Sequence, residues 1–171
     1  MSLRFQRAIV VGASSGIGAE IACQLAADGC AVALVGRRQP ALEAVAARIA
    51  QAGRGSACVE VHDVTHLDDV PACFDALVER LGGLDLLVYA SGIMILPEEG
   101  VWDFASDRRM IEVNVLGAMA WTMAAAARFE ASRSGTIVGL SSVAGERGRR
   151  PMIGYGTSKA AFTTWMEGLR N

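Results

Sequence analysis

The chain has 171 residues, 52% of them hydrophobic, with 16 Lys or Arg against 18 Asp or Glu for a formal net charge of −2. That length suits one domain with a sizeable core, burying roughly 70% of the surface of its unfolded chain, and a near-neutral balance without a basic stripe excludes nucleic acid as a partner. No uninterrupted apolar run approaches the ~20 residues of a membrane span, and only Ala8 to Val11 is apolar before the first glycine turn, so a cytoplasmic protein with no secretory leader and a small-molecule partner is expected.

Ala8 to Val11 reads as the first strand. The helical segment that follows, Gly16 to Asp28, carries Ile17, Ile21 and Leu25 on one face, which predicts that face as the buried one. Ala31 to Val35 is the second strand and Pro40 to Ala52 the second helix, with Pro40 suited to its first position. Ala57 to Val61 and Leu67 to Leu81 repeat the unit, Thr65 followed by Asp68 reading as an N-cap. Leu84 to Ala90 is the fourth strand, an alanine-rich helical stretch runs between about Asp107 and Arg133, and Thr136 to Leu140 is the fifth strand. Gly29, Gly53, Gly82 and Gly83 fall where helices must stop. This alternation predicts an α/β fold, a parallel sheet covered by helices on both faces, as one domain over residues 1–171. The small-residue face Ala124 to Ala127 packs internally or against another subunit.

Cys23, Cys30, Cys58 and Cys73 lie far apart, and His62 and His66 lack further converging ligands, so reduced thiols and no metal are predicted. VVGASSGIGAE places Gly12, Gly16 and Gly18 between the first strand and first helix, where backbone can approach a diphosphate and helix N–H groups point at it; Ser14 and Ser15 add hydroxyl donors. Alone, such a loop is also a tight turn needing positive φ. In YGTSK, Tyr155 and Lys159 share a helix face, so the ammonium can favour the phenolate and let the pair exchange a proton near neutral pH. Alone, that pair is equally a half-buried Tyr beside a snorkelling Lys. Upstream, SSVAG adds Ser141 and Ser142.

Together the GxxxGxG spacing, SSVAG and YxxxK resemble the short-chain dehydrogenase/reductase family across essentially every residue present. The resemblance implies a doubly wound Rossmann sheet binding NAD or NADP at the carboxyl ends of its strands. It assigns Gly12, Ser15, Gly16, Ile17 and Gly18 to the diphosphate loop, and Asp63 with Val64 to the adenine. Tyr155 would be the acid/base and Ser142 a hydrogen-bond donor to the developing alkoxide, with Ser141 a turn donor. Asn114 in IEVNVLG would hold a water linking Lys159 to solvent; its alternative is a cap or local bend. At the end of the second strand Gly36 occupies the place of an acidic residue that would hold the ribose 2′-hydroxyl, and Arg37 and Arg38 follow. These are surface charges or ligands of a 2′-phosphate; NADP(H) is the expected cofactor, NAD(H) the second choice, and Arg37 the stronger ligand. The substrate implied is a ketone or secondary alcohol, and the assembly a homodimer or homotetramer.

The sequence departs from the family at Tyr89, Ala90, Ser91 and Gly92, which replace the usual NNAG, and at Val11, which replaces a threonine. Two polar braces beside the cofactor are therefore expected to be lost, while Ala90 and Gly92 still count as cofactor-binding positions through close backbone approach. Arg147, Arg149 and Arg150 in GERGRRP read as a solvated basic loop ahead of an anion trap. Family members continue beyond this helix, so the end at Asn171 reads as a C-terminal truncation that exposes Phe162, Trp165, Met166 and Leu169 and leaves the fifth strand at the sheet edge. The rival to an NADP(H)-dependent reductase is a catalytically silent nucleotide-binding module acting through a partner subunit. Ser142, Tyr155, Lys159 and Asn114 favour the enzyme, because a pure binder has no need of a proton path.

Overall fold

Strands with apolar side chains on both alternations must be covered on both faces. The computed structural model describes residues 5–98 and 100–170 and places five strands in one sheet, the central three apolar on both faces: β1 (Arg7–Val11), β2 (Ala31–Gly36), β3 (Ser56–Val61), β4 (Leu86–Tyr89) and β5 (Thr136–Gly139). Every pairing is parallel and the order is β3-β2-β1-β4-β5. Strand order reverses between β1 and β4, so a crevice opens there at the carboxyl ends. The helices are α1 (Gly16–Ala27), α2 (Gln39–Ala52), α3 (Val70–Leu81), α4 (Phe104–Ile111), α5 (Gly117–Ser132) and α6 (Ile153–Arg170).

Side-chain alternation divides the core in two. Ala8, Val10, Val32, Leu34, Leu86 and Val88 share one cluster with Ala19, Ala22 and Ala26 of α1 and Leu42, Val45 and Ile49 of α2. Ile9, Val11, Ala33, Val35, Leu87 and Tyr89 share the other with Phe74 and Leu77 of α3, Trp121 and Phe129 of α5 and Phe162 of α6. The result is the expected doubly wound three-layer α/β arrangement.

Several local expectations are corrected. The buried residues of α1 are Gly18, Ala19, Ala22 and Ala26, whereas Ile17 is 66% exposed and Ile21 and Leu25 are half-buried. Both stripes fit a helical period, and the helix turns inward the one that permits closest approach: a Cβ on Gly18 would stand 2.3 Å from the Gly12 carbonyl oxygen. Arg38 is the N-cap of α2, so Pro40 follows Gln39 as its second residue. Thr65 caps no helix, because its N–H and hydroxyl both donate to Asp63 Oδ1, at 3.0 and 2.8 Å, and a 3-10 turn over Leu67–Asp69 precedes α3. Gly53 and Gly82 do end α2 and α3 in the left-handed conformation, at φ 70° and 69°.

The fourth helical segment begins earlier than its alanine-rich stretch suggested, because Asp103 caps it, accepting from Ala105 N and Ser106 N at 3.0 and 3.2 Å. A π turn over Glu112–Leu116 joins α4 to α5. By length and composition the whole run 104–132 is apolar enough to cross a bilayer, which the criterion of an uninterrupted run had excluded; half of its most apolar window is buried inside the fold. Ala125 is buried and Ala124 packs beside it against the core, so that face serves internal packing, with Ala127 exposed.

The largest correction concerns α6. Phe162 is 1% exposed, its ring centroid 6.0 Å from that of Tyr89. It fills the space over Gly139, where a Cβ would stand 2.4 Å from its Cζ. Trp165, Met166 and Leu169 are half-buried, and Trp165 Nε1 donates to Thr122 Oγ1 at 2.9 Å. The helix docks on β5 and α5 because a side-chain-free strand position receives its aromatic ring. β5 does lie at the sheet edge, as expected.

Candidate active site

The ends of β1, β2 and β4 meet at the crevice. Gly12, at φ 92°, turns the chain so that its N–H and that of Ala13 both donate to Val35 O, at 2.8 and 3.0 Å. A Cβ on Gly12 would stand 2.5 Å from Ser91 N, so only glycine allows this approach. Gly16 then opens α1, whose first amides form an anion-facing helix end. A cavity of about 260 Å³ lies in front, walled by Gly12, Ser14, Ser15, Arg37, Arg38, Asp63, Val64, Ala90 and Gly92 of the predicted set, and also by Gly36, His62, Ser91, Ile93 and Val113. Gly16, Ile17 and Gly18 lie outside that wall, Gly18 being buried behind the loop and Ile17 exposed, and so do Tyr155 and Lys159, which the resemblance also set against the cofactor.

The two arginines point to different partners. Arg38 Nη2 donates to Ser14 Oγ at 3.1 Å and Ser15 Oγ at 2.7 Å, which sets its guanidinium over the glycine loop. Arg37 instead pairs with Asp63 at 3.5 Å. Asp63 is also approached by Arg109 of α4, at 3.6 Å. Partial burial would raise the Asp63 carboxyl, but its two Thr65 hydrogen bonds and the two guanidinium groups outweigh burial and hold it below the usual carboxylate range. Arg109 was not visible in the sequence, since nothing in local spacing joins α4 to the end of β3. His62, considered there only as a metal ligand, is a buried wall residue, edge-on to Trp121 at a centroid distance of 5.5 Å. Its ring nitrogens have no hydrogen-bond partner among the described residues, and burial lowers its pKa against the opposing pull of Asp69.

On the other side of Gly92 lie Lys159 and the Tyr155 ring. Lys159 is 6% exposed, its Nζ donating to Leu140 O at 2.8 Å and lying 5.8 Å from the Tyr155 ring centroid. Burial lowers its pKa. Ser142 precedes a 3-10 turn over Val143–Gly145, and its Oγ accepts from Ala144 N at 3.2 Å, which leaves the hydroxyl proton to donate elsewhere. That turn is pressed on α6: a Cβ on Gly145 would stand 2.7 Å from Ala160 N, and one on Gly156 2.8 Å from Ala144 O. Ser141 Oγ meets Thr163 Oγ1 at 2.6 Å and so anchors the strand end to α6.

Asn114 sits in the π turn, so the local bend is real, and its amide is fully committed. Oδ1 accepts from Ile93 N at 2.8 Å, and Nδ2 donates to Ile93 O and Ser158 Oγ, each at 2.9 Å. Ser158, unremarked in the sequence, donates to Tyr155 O at 2.7 Å. Behind Gly92 the two polar groups converge, since a Cβ there would lie 3.4 Å from Asn114 Oδ1 and 3.5 Å from Lys159 Nζ. Arg147 and Arg149 are exposed. Arg150 borders a second cavity of about 340 Å³ with Trp102, Met152 and Ile153.

A sequence profile of the short chain dehydrogenases matches residues 6–171. An uncharacterized oxidoreductase of Myxococcus xanthus is 37% identical over 168 residues, covering 98% of this chain and 66% of its own length. An 11-beta-hydroxysteroid dehydrogenase A of Sesamum indicum is 36% identical, covering 95% of this chain and 47% of its own length. Among solved structures, a short-chain type dehydrogenase/reductase from Mycobacterium marinum superposes with a TM-score of 0.89 at 33% identity, over 98% of this chain and 69% of that one. An NAD+-bound xylitol dehydrogenase does so at 0.90 and 30% identity, over 95% and 63%. With 66% and 65% of the leading relatives covered, the chain spans about two thirds of their length. The parallel sheet with its glycine-lined crevice agrees with those matches, and the chain belongs to the short chain dehydrogenase family.

Proposed function

We propose that this chain carries the cofactor-binding and proton-transfer machinery of an NADP(H)-dependent oxidoreductase acting on a ketone or secondary alcohol. The observation that carries the reading is Lys159: a buried ammonium tied to Leu140 O and held over the Tyr155 ring, where a nucleotide-binding module without chemistry needs no such charge. Bound in the crevice, the nicotinamide nucleotide would supply the hydride. Tyr155 then gives its proton to the carbonyl oxygen, a contribution of about 10²–10⁴ in rate, and Ser142 directs its free hydroxyl proton at the developing charge. Lys159, its ammonium beside the Tyr155 ring, would help return the proton to Tyr155, while Asn114, committed to Ile93 and Ser158, holds that stretch of α6 in place.

The cofactor fits the residues present. Gly12 lets the loop after β1 close on Ser91 N and Gly18 lets α1 close on the Gly12 carbonyl, which together shape the wall of the cavity, and the end of β2 offers Gly36 in place of a carboxylate. Arg38, already aimed at the loop by Ser14 and Ser15, is the better ligand for a 2′-phosphate than Arg37, whose charge is shared with Asp63. The xylitol dehydrogenase neighbour holds NAD+, so the preference rests on this chain's own arginines. A soluble, homodimeric or homotetrameric assembly in the cytoplasm completes the reading.

The test is a fluorescence titration with NADPH and NADH, followed by absorbance with a panel of small ketones. Tyr155→Phe should abolish turnover and leave the NADPH Kd within about twofold. Arg38→Asp should weaken NADPH about tenfold or more while sparing NADH, and Arg37→Asp should do less. Equal turnover by Tyr155→Phe and the parent would sink the oxidoreductase reading; an unchanged NADPH/NADH ratio in Arg38→Asp would remove the NADP(H) preference.

A further inference from the structure

Tyr89 stands where the sequence led us to expect a lost polar brace, yet the structure supplies one. The side chain is 1% exposed and its hydroxyl donates to Val113 O at 2.7 Å. Val113 lies in the π turn, and in an α-helix its carbonyl would accept from Gly117 N–H. Here Gly117 N–H donates to Glu112 O, and the phenol takes the carbonyl so freed. Gly117 also makes room, because a Cβ there would stand 2.9 Å from Tyr89 Oη and 2.8 Å from Val64 O.

The π turn matters because of the residue that follows. Inserting one residue rotates what lies beyond it by about 100° around the helix axis. With this register, Asn114 reaches both backbone groups of Ile93 and the hydroxyl of Ser158, which is itself bonded to Tyr155 O. We propose that Tyr89 is a positioning residue of the proton-transfer site: its hydroxyl fixes the π turn that aims Asn114 at Ile93 and Ser158, and so seats Tyr155 and Lys159 beside the loop after β4. This rests on the oxidoreductase reading above. Burial raises the Tyr89 phenol pKa well beyond its ordinary value, so it remains a donor at working pH.

Tyr89→Phe removes one oxygen and keeps the ring against Phe162, so the fold is retained. Hydrogen exchange at the Ile93 amide should accelerate about tenfold while the amides of Val10 and Leu34, deep in the sheet, keep their rates. In the reductase assay kcat should fall about tenfold with the cofactor KM within twofold. Gly117→Ala, which crowds the phenol from the other side, should produce the same pair of changes. Unchanged Ile93 exchange overturns the proposal, as does equal acceleration at every amide, which a merely structural loss would give. Faster Ile93 exchange with an unchanged kcat also overturns it, leaving a brace of the loop alone. Tyr155→Phe is measured in parallel: a parent without turnover, or one matched by Tyr155→Phe, removes the reaction and the positioning role with it, while the Ile93 result still reports separately on the brace.

Discussion

Replacing Phe162 by alanine asks whether α6 is part of the core or a loosely attached arm. The ring is 1% exposed, lies against Tyr89 and occupies the space that Gly139 leaves open. Truncating a fully buried phenylalanine loses its transfer free energy and leaves a cavity, together about 3–5 kcal/mol, against a net stability of about 5–15 kcal/mol for an ordinary domain. In a chain of 171 residues each kcal/mol moves Tm by about 2–4 °C, so the variant should melt about 6–20 °C below the parent. Its urea midpoint should fall with little change of slope. Gly139→Ala probes the same contact from the strand, since its Cβ would stand 2.4 Å from Phe162 Cζ and 2.8 Å from Cε1; overpacking there should cost about 1–3 kcal/mol. Combined with Phe162→Leu, which clears that space, Gly139→Ala should be partly rescued, with a coupling of about 0.5–3 kcal/mol. A loss under about 1 kcal/mol for Phe162→Ala, or strict additivity in the cycle, would refute the docking of α6 on β5.

His62 should make the fold acid-sensitive. Burial lowers its pKa from 6.5, so below about 6.5 the unfolded chain binds a proton that the folded ring refuses, and stability falls as pH drops toward the lowered folded value. His62→Leu should flatten that slope in urea midpoints measured across the window, and an unaltered slope would mean the imidazole is not held neutral. Asp85 acts at lower pH: the Arg7 hydrogen bond, aided by the Gln6 and Arg7 amides, outweighs burial and lowers its pKa. Its contribution is present above the ordinary value of 3.8 and disappears as pH falls through the folded value. Asp85→Asn should lose about 1–3 kcal/mol at pH 7 and lose less than the parent on further acidification; equal acid sensitivity would assign the effect to other carboxylates. Gly18→Ala drives a Cβ to 2.3 Å from a backbone oxygen that cannot swing away, and an NADPH Kd raised less than about tenfold would show that the loop tolerates the shift.

The candidate site was legible because it is written in short spacings. Three glycines at a strand-to-helix turn, a Tyr and Lys four residues apart and a serine pair just past the last strand each follow from local geometry, and period alone separated five strands from the helices between them. What could not be read depends on distance in space. Two stripes of α1 share one period, and only the approach of Gly18 to Gly12 selects the small one. Adjacent arginines differ in partner because the turn after β2 sends Arg38 to Ser14 and Ser15 and leaves Arg37 beside Asp63. Phe162 looked exposed because the glycine that receives it is on another element.

Tyr89 joins these cases and shows why a departure from a motif should be judged by reach as well as by chemical type. Counted as a polar atom beside the cofactor, a tyrosine in place of an amide is a loss. Followed through the structure, the longer side chain crosses from β4 to the π turn and meets a carbonyl that its own helix has released. A shorter polar side chain could not span that gap, and a tyrosine could not enter it without Gly117 opposite. The π turn, its glycine and the phenol are therefore one device with three members spread over the chain. Single substitutions of Tyr89 and Gly117 should accordingly be non-additive, a double variant losing less than the sum of the two, whereas independent effects that add would mean the phenol and the π turn are merely neighbours.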